Sequence, residues 1–216
     1  MPVDAKICGI NSSEALAAAI DGGARWIGLV FYPPSPRSLA PAAAAALSRE
    51  AAGRTTRTGL FVDPDDRLLE ATLAEVELDL LQLHGAEAPE RVRQIRQRFG
   101  LPVMKAVPVA GPEDVEAAHR WADVVDRLLF DAKPPRDMKG ALPGGNALSF
   151  DWELLGGTSW PVPWMLSGGL TAGNLAEAAR ISGAPAVDVS SGVESRPGVK
   201  DPKRIARFLG VAASLK

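Results

Sequence analysis

The chain has 216 residues, 46% of them hydrophobic, with 24 basic and 26 acidic side chains and a net charge of -2. That is enough apolar material for a substantial core, and Lys and Arg are too scattered to form a nucleic-acid footprint. The single cysteine, Cys8, excludes an internal disulfide and fits a reducing compartment. The N-terminus lacks a signal-peptide core and no apolar run is long enough to span a membrane, so a cytoplasmic protein without membrane contact is expected.

Short aliphatic or β-branched runs alternate with helical stretches along the whole chain. The first predicted strand covers residues 3–8 and its helix 12–21, with Ser12 or Ser13 as cap. Strand 26–31 leads through a proline-rich loop, Pro33-Pro-Ser-Pro-Arg-Ser38, to helix 41–51. Strand 58–62 and helix 65–74 follow, then strand 80–83 and helix 89–99, then strand 103–107 and helix 112–119. Strand 124–130 runs into a long loop, 132–149, and a short helix near 150–155. Strand 164–166 with helix 172–181 and strand 186–189 with helix 202–213 complete the series. Eight β–α units imply a parallel sheet closed as a (β/α)8 TIM barrel, with an open doubly wound sheet as the alternative. No linker divides the chain, so residues 1–216 read as one domain.

Two glycine turns, Leu166-Ser-Gly-Gly-Leu170 and Val187-Asp-Val-Ser-Ser-Gly-Val-Glu194, end the last two strands. In a barrel these loops form a frequent phosphate site, so Gly168, Gly169, Ser191 and Gly192 are the candidate phosphate cup. The other candidates also sit at strand ends. By alternation Lys6 and Cys8 share a face, which places the thiol at the barrel mouth if that face is inward. Leu129, Asp131 and Lys133 likewise share a face, which makes Asp131 the best carboxylate. Asp63 reads as a cap for the next helix. Asp188, inside a strand, either pairs with a base or contacts a ligand. Arg37 carries a fork suited to a carboxylate, in a loop stiffened by prolines. His84 ends its strand as a base or as a packed rim histidine. A thiol and a carboxyl group around one mouth suit proton transfer, favouring sugar-phosphate isomerisation over hydrolysis. A Cys–His thiol hydrolase stays open on these residues alone. With two histidines and one cysteine, no metal cluster is expected.

This set resembles the phosphoribosylanthranilate isomerases from end to end. The resemblance is carried by Lys6-Ile-Cys-Gly-Ile10, Phe31-Tyr-Pro-Pro-Ser-Pro-Arg37, Gln82-Leu-His-Gly85, Leu129-Phe-Asp131, Phe150-Asp-Trp152 and the two glycine turns. It implies a (β/α)8 barrel and an Amadori rearrangement of N-(5-phosphoribosyl)anthranilate in tryptophan biosynthesis, without a cofactor. Cys8 would be the general base and Asp131 the general acid. Arg37 would hold the anthranilate carboxylate, with His84 and Asp188 as further substrate contacts. A nearby cation such as Lys6 would lower the thiol pKa, and Lys133, if close, would oppose a protonated Asp131. The partner is a small phosphorylated substrate, on a monomer or a homodimer.

One departure stands out: Ala147 occupies a position where the family commonly has glycine, in the loop before Phe150. Two rival readings are a histidine-pathway barrel isomerase, which would carry aspartate in place of Cys8, and a non-catalytic sugar-phosphate binding module, which would need no acid–base pair.

Overall fold

The computed structural model describes residues 3–135, 137–138 and 140–215; positions 136 and 139 of the long loop lie outside the described residues. The strands are β1 (Asp4–Cys8), β2 (Trp26–Val30), β3 (Thr56–Phe61), β4 (Leu80–Leu83), β5 (Val103–Val109), β6 (Arg127–Ala132), β7 (Trp164–Leu166) and β8 (Ala186–Val189). They pair in sequence order, all parallel, and β8 closes on β1 with Asp4 opposite Ala186 and Ile7 opposite Val189. Closure decides for the barrel over the open sheet. The helices between them are α1 (Ser13–Asp21), α2 (Pro41–Ala51), α3 (Asp66–Glu75), α4 (Pro89–Phe99), α5 (Pro112–Ala117), α6 (Leu175–Ser182) and α7 (Pro202–Ser214). After β6 only a 3-10 turn, Trp152–Leu155, fills the helical position.

Local chemistry sets the helix ends. Ser12 Oγ accepts from Ala15 N at 3.2 Å, and Asp65 and Asp201 cap α3 and α7 in the same way. Proline at the first turn starts α2, α4 and α5, where its missing N–H costs nothing.

Strand alternation divides the apolar residues into two sets. Ile7, Ile27, Leu29, Phe61, Leu81, Leu83, Leu128, Phe130 and Val187 face the helices and form the main core. Each such buried side chain stabilises the fold by roughly 1.5–3 kcal/mol. Inside the barrel, Trp26, Leu80, Met104, Ala106, Leu129, Met165 and Ala186 fill the lower end. Above them the interior turns polar, with Lys6, Thr58, Gln82 and Asp188 all buried. That apolar floor sets the depth of the mouth.

The largest differences from expectation are three. β6 begins at Arg127 because Val124 and Val125 belong to the turn after the 3-10 helix Ala118–Trp121, where both amides reach the Trp121 carbonyl. α6 begins at Leu175 because Asn174 binds Thr171 N at 2.7 Å and the Gly169 carbonyl at 3.0 Å, which makes residues 171–174 a turn. A hairpin of β9 (Glu194–Arg196) and β10 (Val199–Lys200) stands between β8 and α7, where no strand was expected.

Candidate active site

The mouth at the C-terminal ends of the strands is one pocket, lined by Cys8, Arg37, His84, Asp131, Gly168, Gly169, Asp188 and Ser191 among others. Of the expected site residues only Gly192 stays out of the lining. A Cβ there would sit 1.9 Å from the Leu170 carbonyl oxygen, so Gly192 packs one glycine turn against the other.

Cys8 ends β1 opposite Gly28 of β2, and that pairing makes room for the thiol. A Cβ on Gly28 would lie 2.9 Å from Cys8 Sγ and 3.2 Å from Lys6 Nζ. Below the thiol, Lys6 is fully buried and its Nζ donates to Asp188 Oδ1 at 2.9 Å. Asp188 Oδ2 accepts from Ser167 Oγ at 3.2 Å. Asp188 therefore pairs with a base, the first of the two alternatives, and it also lines the pocket. Burial works against the Lys6 ammonium, but Asp188 and Cys8 outweigh it and hold its pKa up. Burial pushes the Cys8 thiol above its ordinary range; Lys6 pulls it down, Asp188 pushes it up, and Lys200 pulls it down. Lys6 thus acts in the expected direction but does not win.

Asp131 sits near the end of β6, with Oδ1 accepting from Ala132 N at 2.9 Å. Its Oδ2 lies 3.2 Å from His84 Nε2, outside hydrogen-bond alignment. Gln82 Nε2 lies 2.9 Å from His84 Nδ1. With that amide as donor, the ring proton sits on Nε2 and faces Asp131. His84 is engaged by Gln82 and Asp131, and no Cys8–His84 bond exists among the described residues, which disfavours a thiol hydrolase. Lys133 does not share the Asp131 face, because β6 ends at Ala132; its Nζ pairs with Asp114 at 2.7 Å.

Asp63 is not a helix cap. Asp65 caps α3, while Asp63 adopts φ 45 and its Oδ1 accepts from Ala86 N at 2.7 Å. Glu87 accepts from both Asp63 N (2.9 Å) and Gly85 N (3.0 Å) and pairs with Lys105 at 2.9 Å, so a buried carboxylate ties together the loops beside His84.

Arg37 is held where the proline-rich loop folds back on β2, with Leu39 N bonding the Val30 carbonyl at 2.9 Å. Its stem crosses Gly9, where a Cβ would meet Arg37 Cδ at 2.8 Å; this is the packing reason for glycine after Cys8. Glu194 takes Nε at 2.7 Å and Nη2 at 3.0 Å, and Nη2 also reaches the Gly145 carbonyl at 3.2 Å. Nη1 has no protein acceptor among the described residues. Glu194 and its second partner, Lys200, were given no role from the sequence. The available signal was Arg37 itself, since a buried guanidinium requires a counter-charge.

The loop after β6 lies across the mouth, with residues 142–148 in the lining. A Cβ on Gly144 would meet Asp131 Oδ2 and His84 Nε2, each at 2.6 Å. Ala147 holds φ 57, a left-handed conformation that favours glycine.

In the two glycine turns, Gly168 (φ 89) and Gly169 (φ 62) require glycine geometry. The backbone N–H groups of Gly168, Gly169 and Ser191 have no protein acceptor among the described residues. The first turn does not open a helix, since α6 starts only at Leu175; the second runs directly into a short 3-10 helix, Ser191–Val193. Glycine loops after the seventh and eighth strands, with a short extra helix, are the usual phosphate site of this fold.

The family model described as N-(5'phosphoribosyl)anthranilate (PRA) isomerase matches residues 5–211. The chain belongs to the phosphoribosylanthranilate isomerase family. It is an isomerase of tryptophan biosynthesis. It is 60% identical over 215 residues to the N-(5'-phosphoribosyl)anthranilate isomerase of Rhodospirillum centenum, with 100% of both chains covered. A solved structure of monomers of the dimeric Thermotoga maritima enzyme is 34% identical at TM-score 0.82, covering 99% of this chain and 100% of that one. A phosphoribosyl anthranilate isomerase solved with reduced 1-(o-carboxyphenylamino)-1-deoxyribulose 5-phosphate is 33% identical at TM-score 0.81, with the same coverage. No helix among the described residues is long and apolar enough to cross a membrane.

Proposed function

We propose that Cys8 is the general base and Asp131 the general acid of the Amadori rearrangement of N-(5-phosphoribosyl)anthranilate to 1-(2-carboxyphenylamino)-1-deoxyribulose 5-phosphate. The observation that carries this reading is the placement of both groups on the wall of one pocket, on non-adjacent strands, which Arg37 and the glycine turns also line. Protonated Asp131 gives its proton to the furanose ring oxygen as the ring carbon–oxygen bond breaks, and the nitrogen lone pair forms the Schiff base. Cys8, as thiolate, removes the C2′ proton. The C–H electrons form the new carbon–carbon double bond and the imine electrons return to nitrogen, giving an enolamine that tautomerises to the ketone. The anthranilate nitrogen is the electron sink, so the chemistry calls for no cofactor.

Arg37 offers Nη1 to the anthranilate carboxylate. Gly168, Gly169 and Ser191 offer backbone N–H groups to the phosphate, and Gly192 shapes that cup by packing. His84 stands beside the Asp131 carboxyl, and Asp188 lies against the sugar while holding Lys6. Residues 1–216 act as one domain in the cytoplasm, as a monomer or homodimer.

The test is loss of substrate fluorescence with freshly prepared phosphoribosylanthranilate. Cys8→Ala should lower kcat by roughly 10²-fold or more with the fold intact, and Asp131→Asn by about 10² to 10⁴-fold with little change in ligand affinity. Near wild-type turnover in either variant would remove that residue from its role.

A further inference from the structure

We propose that Glu194 is a positioning residue whose single carboxylate organises both ends of the substrate site. The inference rests on the reading that Arg37 takes the substrate carboxylate and the glycine turns take the phosphate.

Glu194 opens β9 and is 5% exposed. Its Oε1 accepts from Arg37 Nε at 2.7 Å and from Lys200 Nζ at 2.8 Å. Its Oε2 accepts from Arg37 Nη2 at 3.0 Å and from Gly198 N at 3.3 Å. Both oxygens are thus doubly occupied, and the bidentate grip leaves Arg37 only one way to present Nη1. Lys200 carries the arrangement to the other end of the site, where its Nζ donates to the Ser190 carbonyl at 2.9 Å and to Ser190 Oγ at 3.1 Å. Ser190 immediately precedes Ser191 of the phosphate cup.

The hairpin that carries Glu194 is itself fixed to both walls. A Cβ on Gly198 (φ 79) would lie 2.5 Å from the Pro36 carbonyl oxygen, so β9–β10 clasps the loop that bears Arg37. Asn11, beyond Cys8, donates to the Gly198 carbonyl at 2.8 Å. Burial would raise the Glu194 carboxyl, but Arg37 and Lys200 hold it below its ordinary value, so it stays ionised. Two cations face one carboxylate, which leaves the cluster one net positive charge, and an anion at Nη1 completes it.

The consequence is that the carboxylate end and the phosphate end of the site do not fail independently. Glu194→Gln gives a test in which charge and placement predict opposite signs. Removing a negative charge beside two anion sites would, by Coulomb's law alone, tighten binding of both anions. Loss of placement would weaken both. The experiment measures inhibition constants for free anthranilate and for inorganic phosphate, together with KM and kcat. The expected result for Glu194→Gln is that both constants rise by about tenfold or more, the size of a misplaced charge-assisted hydrogen bond, and that KM rises more than kcat falls.

Glu194→Asp keeps the charge and shortens the reach. It should weaken both probes in the same way, and it decides the matter if the glutamine variant does not fold. Lys200→Met should weaken phosphate more than anthranilate. Unchanged or tighter binding, or loss on one probe only in both Glu194 variants, overturns the proposal. Arg37→Met separates the carboxylate reading from the positioning role. If it leaves anthranilate inhibition unchanged, the carboxylate reading itself falls; if it weakens anthranilate while the Glu194 variants do not, only the positioning role falls.

Discussion

Lys6, Asp188 and Cys8 form a buried cluster in which two single substitutions should move one titration in opposite directions. With the thiol protonated the cluster is neutral, and Lys6 Nζ lies 2.9 Å from Asp188 Oδ1 with both groups buried. Lys6→Met leaves a net negative charge, so thiolate formation must then build a second negative charge beside Asp188. Both the loss of the Lys6 pull and the unopposed push of Asp188 raise the thiol pKa further. Asp188→Asn leaves a net positive charge that thiolate formation neutralises, so the thiol pKa falls. At a pH below the pKa, every tenfold change in the thiolate fraction corresponds to about 1.4 kcal/mol.

Both variants break a buried ion pair and should cost about 3–5 kcal/mol of stability, measured by urea unfolding. The chemical readout is independent of substrate binding. Cys8 is the only cysteine, so the rate of iodoacetamide alkylation against pH reports this thiol alone. The ascending limb should move to higher pH in Lys6→Met and to lower pH in Asp188→Asn. Limbs that move in the same direction would refute the electrostatic reasoning. In the unaltered enzyme the alkylation rate should climb with pH through and beyond the ordinary thiol range, because burial holds the thiol up.

Two further outcomes follow from backbone geometry. Ala147→Gly should stabilise the chain by about 1 kcal/mol, because φ 57 strains alanine and suits glycine, and should leave kcat and KM within a few-fold; a lower Tm would contradict the assigned strain. Gly192→Ala should weaken inhibition by inorganic phosphate, since its Cβ would sit 1.9 Å from the Leu170 carbonyl oxygen and force the two glycine turns apart. Unchanged phosphate inhibition would show that the packing of the turns does not shape the cup.

The barrel was legible because the strands that make it are buried on both faces and bounded by turns. β4, β7 and β8 fall on the apolar runs that mark them, and α2 and α4 start at prolines and end where their periodicity ends. β6 was misplaced because Val124 and Val125 are as apolar as the strand itself and bury in the same core; composition does not separate a strand from the buried turn leading into it. The residues on the mouth were legible from strand alternation, which puts Cys8 and Asp131 inward. Alternation fails one residue past a strand, and Lys133 turns away for that reason. Glu194 was hidden because its role depends on Arg37, 157 positions away in sequence, and a single exposed-looking hairpin carries no periodicity to mark it.

Gly144 gives the strongest test of how the loop after β6 takes part. Its neighbours Leu142 and Asn146 are braced by two bonds, from Leu142 N to Asn146 Oδ1 at 3.0 Å and from Asn146 Nδ2 to the Leu142 carbonyl at 2.7 Å. The segment is therefore a shaped turn, and Gly144 is the residue that touches the acid. A Cβ there would meet Asp131 Oδ2 and His84 Nε2 at 2.6 Å, closer than real Cβ contacts allow. Gly144→Ala must lift the turn or push the carboxylate aside. A displacement of about 1 Å at a catalytic group can cost on the order of 10²-fold in rate, so kcat should fall by about that factor. Global stability should change little, because the turn packs on the mouth and not in the helix-facing core. Gly173→Ala is the matched control: its Cβ would meet only Thr171 Oγ1 at an ordinary 3.6 Å, and turnover should be unaffected. If Gly144→Ala retains full kcat, the turn is not seated on Asp131 during the reaction, and the proton is delivered with the loop displaced from the acid.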